Sequence, residues 1–520
     1  MKRVLPVVFL AAILSSCSSV SKLPPLVTTP PPVSDDDRSV TPYIEWNPRP
    51  LALSGETLQL SVEEAIFTAL DRNRELRIQT LEPVKAGAFE LIERGQFQPQ
   101  LYGLFRASEE EVSENSRATG EQFSVTGSNA AGEIGVRQNL ASGTNLEFSV
   151  EQSRSISSRT PEQQAARLGL SVTQSLLRGY GPAVNLASVR QAEVNTLASR
   201  YELRGYTEAF VAEVETAYWR YVLAREEITI FESSLELARR ERDEIEERIE
   251  VGSLSETDGA LVRGEVARRE SALIDAKADL ANQRYRLARL LNANLDGSLE
   301  FEIEASSNPS VEYEPLNEIG ERIELALIKR PDLNEAKLRL EQDRLQTVVT
   351  KNGLLPRLDL FVTLGKTGYA DTFLESFENI TEDSYDVTAG LRFNQYIGNA
   401  PARGRDLIAR TNREQAADAV LNHEQIVRLD VRLAANEVER ARQQIEATAQ
   451  IRQHLIETVK GERERLQVGS TTALQVAAAA RDLLASRIQE VKALVSYRLA
   501  LIDLYLAEGS LLERRGISIP

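Results

Sequence analysis

Two periods take turns along this chain. Within residues 98–176, and again within 357–397, apolar and polar residues alternate with a period of two. In LDLFVTL, Leu358, Leu360, Val362 and Leu364 share one side of an extended chain. DVTAGLRF sets Val387, Ala389, Leu391 and Phe393 against Asp386, Thr388 and Arg392. NLEFSVE sets Leu146, Phe148 and Val150 against Asn145, Glu147 and Ser149, and RLGLSVT places Leu168, Leu170 and Val172 together. Each segment predicts a strand with one apolar and one polar face. Around them the spacing is helical. Ser61 with Glu64 forms a capping-box start for Ala65, Ile66, Ala69 and Leu70, and predicts a helix to about Gly95. A second opening helix is predicted over roughly 316–352. From Pro182 to about Ile249 the stripe Leu203, Tyr206, Phe210, Val214, Ala217 and Tyr221 predicts one helix of roughly 100 Å. The chain turns at Val251-Gly252 and returns as a helix over about 256–292.

The chain writes this order of elements twice. At an offset of 257, Pro99-Gln100-Leu101 matches Pro356-Arg357-Leu358; at 219, Gly179 and Pro182 match Gly398 and Pro401. At 217, Arg248, Val251, Gly252 and Ser253 match Arg465, Val468, Gly469 and Ser470. The order is kept throughout, which marks a tandem duplication. The division is a first repeat over 58–292, a polar linker over 293–315, a second repeat over 316–508 and a tail over 509–520. The offsets fall by 38 between the proline and the glycine, so the first copy's strand region is longer by that much. The surplus contains hairpin material around Ala141–Thr144, between strands beginning near Ile134 and Asn145.

Composition narrows the partners. The 520-residue chain carries a net charge of -17, the wrong sign for nucleic acid. Lys2 and Arg3 precede an apolar run over 4–14, which predicts a signal peptide over 1–16. Leu14-Ser15-Ser16-Cys17 resembles a lipobox, and by that resemblance Cys17, the single cysteine, is the lipidated residue. Residues 17–57 read as a lipidated, proline-rich tether. Beyond the leader no apolar run is long enough for a spanning helix, so any membrane crossing falls to strands. His423 and His454 stand without cysteine or paired-carboxylate neighbours, and Gly179-x-Gly181 lacks the third glycine of a dinucleotide loop. The reading is of no enzyme, no cofactor and no metal.

A lipobox, the duplicated helix–strands–helical hairpin order, R-P-D-L at 330–333 and SLLRGYGPAVN at 175–185 resemble the TolC-like outer membrane efflux protein family, lipoprotein type. The resemblance implies a mixed α/β membrane protein: a trimeric transmembrane β-barrel continued by a long α-helical coiled-coil barrel. It implies an outer membrane exit duct of a tripartite efflux pump or type I secretion system. The implied partners are two further copies of the chain, outer membrane lipid, a periplasmic adaptor and an inner-membrane pump. The tips Arg248, Val251, Gly252, Ser253 and Arg465, Val468, Gly469, Ser470 become adaptor-docking sites; the alternative is that they are helix-hairpin turns and no more. Ser255 and Thr472 are placed to cap the returning helices. Four strands in the first copy and two in the second would give about eighteen in a trimer. The rival count is twelve, with the surplus hairpin as an extracellular extension. The run EEEVSE at 109–114 is expected in an outer loop. The alternative function is a lipid-anchored, periplasm-spanning coiled-coil protein without a pore.

Overall fold

The computed structural model describes residues 57–115, 117–292, 302–309, 313 and 318–518. Cys17, the leader and the tether up to 56 lie outside the described residues, as does most of the 293–315 linker. The opening strand β1 (Thr57–Leu60) leads to α1 (Val62–Arg72), α2 (Arg74–Thr80) and α3 (Glu82–Gly95). The Ser61–Glu64 capping box forms, with Ser61 N donating to Glu64 Oε2 at 2.7 Å. The single helix expected up to Gly95 is instead three. Asn73 is extended, ends α1, and accepts from Glu75 N and Leu76 N to cap α2. The second opening helix divides likewise into α7 (Ile319–Lys329) and α8 (Pro331–Gly353). Arg330 is extended because a residue before proline is pushed out of the helical region.

Six strands make one antiparallel sheet: β2 (Gln100–Asn115), β3 (Gln122–Asn139), β4 (Thr144–Ser157), β5 (Gln163–Ser175), β7 (Arg357–Ala370) and β8 (Tyr385–Asn394), adjacent in that order. Four come from the first half of the chain and two from the second. The EEEVSE run is in strand β2, paired with β3, and not in a loop. Between β7 and β8 lies a short helix, α9 (Phe373–Glu378).

After β5 come α4 (Pro182–Asn185), α5 (Ala187–Glu250) and α6 (Glu256–Leu290); after β8 come α10 (Ala400–Gln467) and α11 (Ala473–Glu508). At 64 residues α5 is roughly 96 Å long. It packs against α6 toward one end and against α3 and α8 toward the other; α10 pairs with α11 and α8. The main core sits where α5 meets the two short strands. Tyr218, Val214 and Val222 are buried there with Leu60, Ile303, Tyr497 and Leu504.

Two further features depart from the sequence expectation. The linker contributes β6 (Glu302–Ala305), which pairs in parallel with β1. Tyr218 and Tyr221 hold that ladder to α5 by donating to Leu60 O at 3.0 Å and Ile303 O at 2.5 Å. The expected tail holds α12 (Leu511–Arg514), whose Leu511 and Leu512 are buried, and Arg515 donates to both oxygens of buried Glu215 at 2.6 and 2.7 Å.

Candidate functional site: the two sheet faces and the paired helical tips

Period-two alternation becomes two unlike faces once register aligns the strands. Leu101, Val136, Phe148, Leu170, Leu364 and Val387 are direct cross-strand neighbours, an unbroken apolar row over all six strands. Their exposure ranges from 39% to 71%, so this row has no protein covering it in the single chain. On β7 this side runs from Leu358 to Gly368, with Lys366 the one charged position; the eleven residues span about 33 Å along the strand and about 25 Å in height at a typical barrel tilt. That is the height of a lipid-facing band. Every apolar position named from the alternation lies on this side.

The opposite face is polar. Its matching row is Gln100, Arg137, Glu147, Ser171, Thr363 and Thr388. The Tyr102 hydroxyl stands 2.6 Å from Glu147 Oε1 and 2.9 Å from Glu133 Oε1, donating to one at a time. It reaches them across Gly135, where a Cβ would meet the ring at 2.7 Å. Arg167 bonds Asp386 at 2.7 Å over Gly365, whose lack of a side chain leaves room for the pair. Glu133 and Glu151 are directly opposed like charges, an arrangement that suits a watered face and no dry one. The sequence reading passed over Tyr102 and Glu133, which extending the alternation through 100–137 would have found, and over Glu151 and Arg167, which end NLEFSVE and begin RLGLSVT.

The sheet has two open edges. Along β2 and β8 no second ladder forms among the described residues, because the order runs from one to the other without closing. The β3–β4 turn is bound into the sheet–helix junction: Gly181 N donates to Ser142 O at 3.1 Å, and Asn185 Nδ2 donates to Ala141 O at 3.1 Å. The surplus hairpin therefore lies within the sheet, between β2 and β5, in the single chain.

At the far end of the helices the two repeated motifs fold alike. Gly252 N donates to Ile249 O at 2.9 Å and Ser253 N to Arg248 O at 2.9 Å; Gly469 N donates to Leu466 O at 3.1 Å and Ser470 N to Arg465 O at 2.9 Å. This is the Schellman pair of bonds, which demands a left-handed residue at the glycine. Gly252 and Gly469 supply it with φ of 78° and 73°. Each serine hydroxyl also donates to the same arginine carbonyl, at 2.8 and 3.2 Å. Arg248 and Arg465 pair with Glu244 and Glu462 of their own helices, both at 2.8 Å. Glycine and serine thus build the turn, and what projects is valine: Val251 is 75% and Val468 79% exposed. Ser255 caps α6 through a capping box with Asp258, whereas Thr472 makes no side-chain cap bond. An ion pair from Arg463 to Glu241 and a cluster of Ile245, Val262 and Ala473 hold the two hairpins side by side.

Between sheet and tips lies a buried charge cluster. Arg322 bonds Glu508 at 2.5 Å, and Arg204 bonds Glu513 at 2.6 Å and Glu208 at 3.3 Å. Burial pushes the Glu208 carboxyl up to about 7 against the opposing pull of Arg204. Among the described residues no group of acidic, histidine or cysteine side chains could hold a metal, and no helix is long and apolar enough to cross a membrane.

The antiparallel sheet carried on long paired helices is similar in fold to solved outer membrane channels. The CmeC outer membrane channel of Campylobacter jejuni is similar over 86% of this chain and 85% of its own, at 17% identity and a TM-score of 0.64. VceC of Vibrio cholerae is similar over 86% of this chain and 96% of its own, at 16% identity and a TM-score of 0.62. The MtrE outer membrane channel of Neisseria gonorrhoeae, in its open state, covers 86% and 89%, at 17% identity and a TM-score of 0.60. No curated protein matches the sequence. The profile of the outer membrane efflux protein family matches residues 65–293 and 322–510, and the chain belongs to that family.

Proposed function

We propose that three copies of this chain form the outer membrane exit duct of a tripartite efflux pump or type I secretion system. The observation that carries the reading is the open six-stranded sheet with an exposed apolar face and a polar one. In a bilayer, unpaired backbone on β2 and β8 would cost several kcal/mol per group, and joining β8 of one copy to β2 of the next removes both edges. Three copies then give eighteen strands, the apolar row facing lipid and the Tyr102–Glu147 row facing the bore. The helices continue the duct into the periplasm. Transport through it is passive, with energy supplied by an inner-membrane pump. Val251 and Val468 present the apolar contact for a periplasmic adaptor, and adaptor binding draws the tips apart by favouring the open state. Lipidation at Cys17 anchors the mature chain to the same membrane. The pore-free spacer has no use for an apolar sheet face. Single-channel recording of purified protein in planar bilayers with the adaptor added tests the duct: stepwise conductance is expected, and bilayers that stay sealed with correctly folded, adaptor-bound trimers would reject it.

A further inference from the structure

The segment that joins β7 to β8, residues 371–384, does not extend away from the sheet but folds back over its apolar face. Ser376, fully buried, lies over Ala166 and Gly368, positions on the same side as Leu168 and Leu364. Its hydroxyl, which donates to Phe373 O of its own helix at 2.8 Å, also lies 3.3 Å from Gln152 Oε1, another residue of that side. Asn379 Nδ2 donates to Tyr369 O at 2.8 Å, and Lys366 Nζ donates to Thr381 O at 3.3 Å. Gly368 makes the seat: a Cβ there would stand 2.1 Å from Ser376 O and 2.4 Å from Ile380 N. The helix is thus fixed in place against the sheet.

Its own side chains are divided. With 100° per residue and Ser376 toward the sheet, Phe373, Phe377 and Leu374 fall to one side and Glu375 to the other. Phe373 and Phe377 are in ring contact at 5.2 Å, yet Phe373 stays 54% and Leu374 73% exposed. The flanking residues Asp371, Glu378, Glu382 and Asp383 are all exposed carboxylates. Apolar side chains left in the open, on the side of the sheet that also exposes Phe105 and Tyr385, suit contact with lipid and not with water.

Resting on the membrane-spanning reading of the sheet, we propose that α9 is an interfacial helix, lying in the plane of the outer leaflet at the rim of the apolar band. Phe373, Leu374 and Phe377 enter the acyl-chain boundary, and the carboxylates stay in the headgroup and water layer. It widens each copy's lipid contact at the end remote from the helices and fixes the depth at which the sheet sits.

The test is tryptophan fluorescence of the full-length protein with Leu374→Trp, reconstituted in phosphatidylcholine vesicles. Val387→Trp, opposite Leu364 near the middle of the apolar face, is the reference. Acyl chains brominated near the carbonyl end are expected to quench Leu374→Trp strongly and iodide weakly, with bromines near the chain midpoint favouring Val387→Trp instead. Iodide quenching of Leu374→Trp without bromine quenching, while Val387→Trp responds to bromine, would overturn the proposal and leave the spanning sheet intact. Failure of both positions to respond to bromine would overturn the spanning sheet as well. Adding Gly368→Val lifts the helix from its seat and is expected to raise iodide quenching of Leu374→Trp roughly twofold; no change would refute the role of the seat.

Discussion

Deleting residues 122–157 removes β3 and β4 and leaves β2 running outward and β5 running back, so the up-and-down order survives. The magnitude follows from strand spacing. Strands 4.8 Å apart and tilted by about 40° each occupy about 6.3 Å of circumference, so eighteen give a backbone diameter of about 36 Å. Twelve give about 24 Å by the same geometry. Allowing about 5 Å of side chain on each wall, the clear cross-section falls about threefold. The deletion also removes Glu133 and Glu147, both hydrogen-bond partners of the Tyr102 hydroxyl, and so strips a polar row from the inner face. Cryo-electron microscopy of the wild-type and deleted proteins in nanodiscs reads diameter and strand number directly from end-on views. Equal diameters in the two, with the hairpin standing beyond a twelve-stranded wall in the wild type, would refute the reasoning. Such a result would mean that β3 and β4 leave the wall when the copies assemble, despite the bonds from Gly181 and Asn185 to their turn.

The tips give a second prediction: Val251→Asp with Val468→Asp should abolish capture of the cognate adaptor while shifting stability by no more than about 0.5 kcal/mol, since both valines are exposed. Undiminished capture would return the tips to the status of plain turns. Arg515→Met leaves the Glu215 carboxylate buried without its bidentate partner and should cost about 3 kcal/mol, read by chemical denaturation. The double variant with Glu215→Gln should recover most of that loss, and equal losses in single and double variants would show that the charge is not the cause. Burial raises the Glu208 carboxyl to about 7, so the folded chain keeps a proton that the unfolded chain sheds above its ordinary range near 4.5. Its stabilising contribution is full below about 4.5 and is lost as pH rises through about 7; Glu208→Gln should flatten the pH dependence of melting across that window. Parallel wild-type and variant profiles would remove Glu208 as the source.

Much of the architecture was legible because its signals are local. The faces of β4, β5, β7 and β8 follow from a period of two, which no tertiary contact is needed to set. The twin turns at 248–253 and 465–470 were legible for the same reason: a glycine at positive φ and a hydroxyl reaching back five residues are complete within one short segment. The breaks at Asn73 and Arg330 were equally local, an asparagine cap and a residue before proline, and the reading overlooked them because it followed the apolar stripe alone.

What the sequence determined by itself is the repeated order of elements, the two-faced strands and the paired tips. The tertiary structure alone decided which distant segments meet. The β1–β6 ladder joins residues 245 positions apart; each strand is four residues long and carries too little pattern to announce its partner. Segment 509–520 looked like a tail because it is short and charged, yet Arg515 finds its place only against a buried Glu215 300 residues earlier. The seat of α9 depends on Gly368, Ala166 and Gln152 coming side by side from three strands. Local conformation is set by steric and hydrogen-bond terms that act over a few residues. Pairing across the chain depends on burial, which exists only once the segments are together.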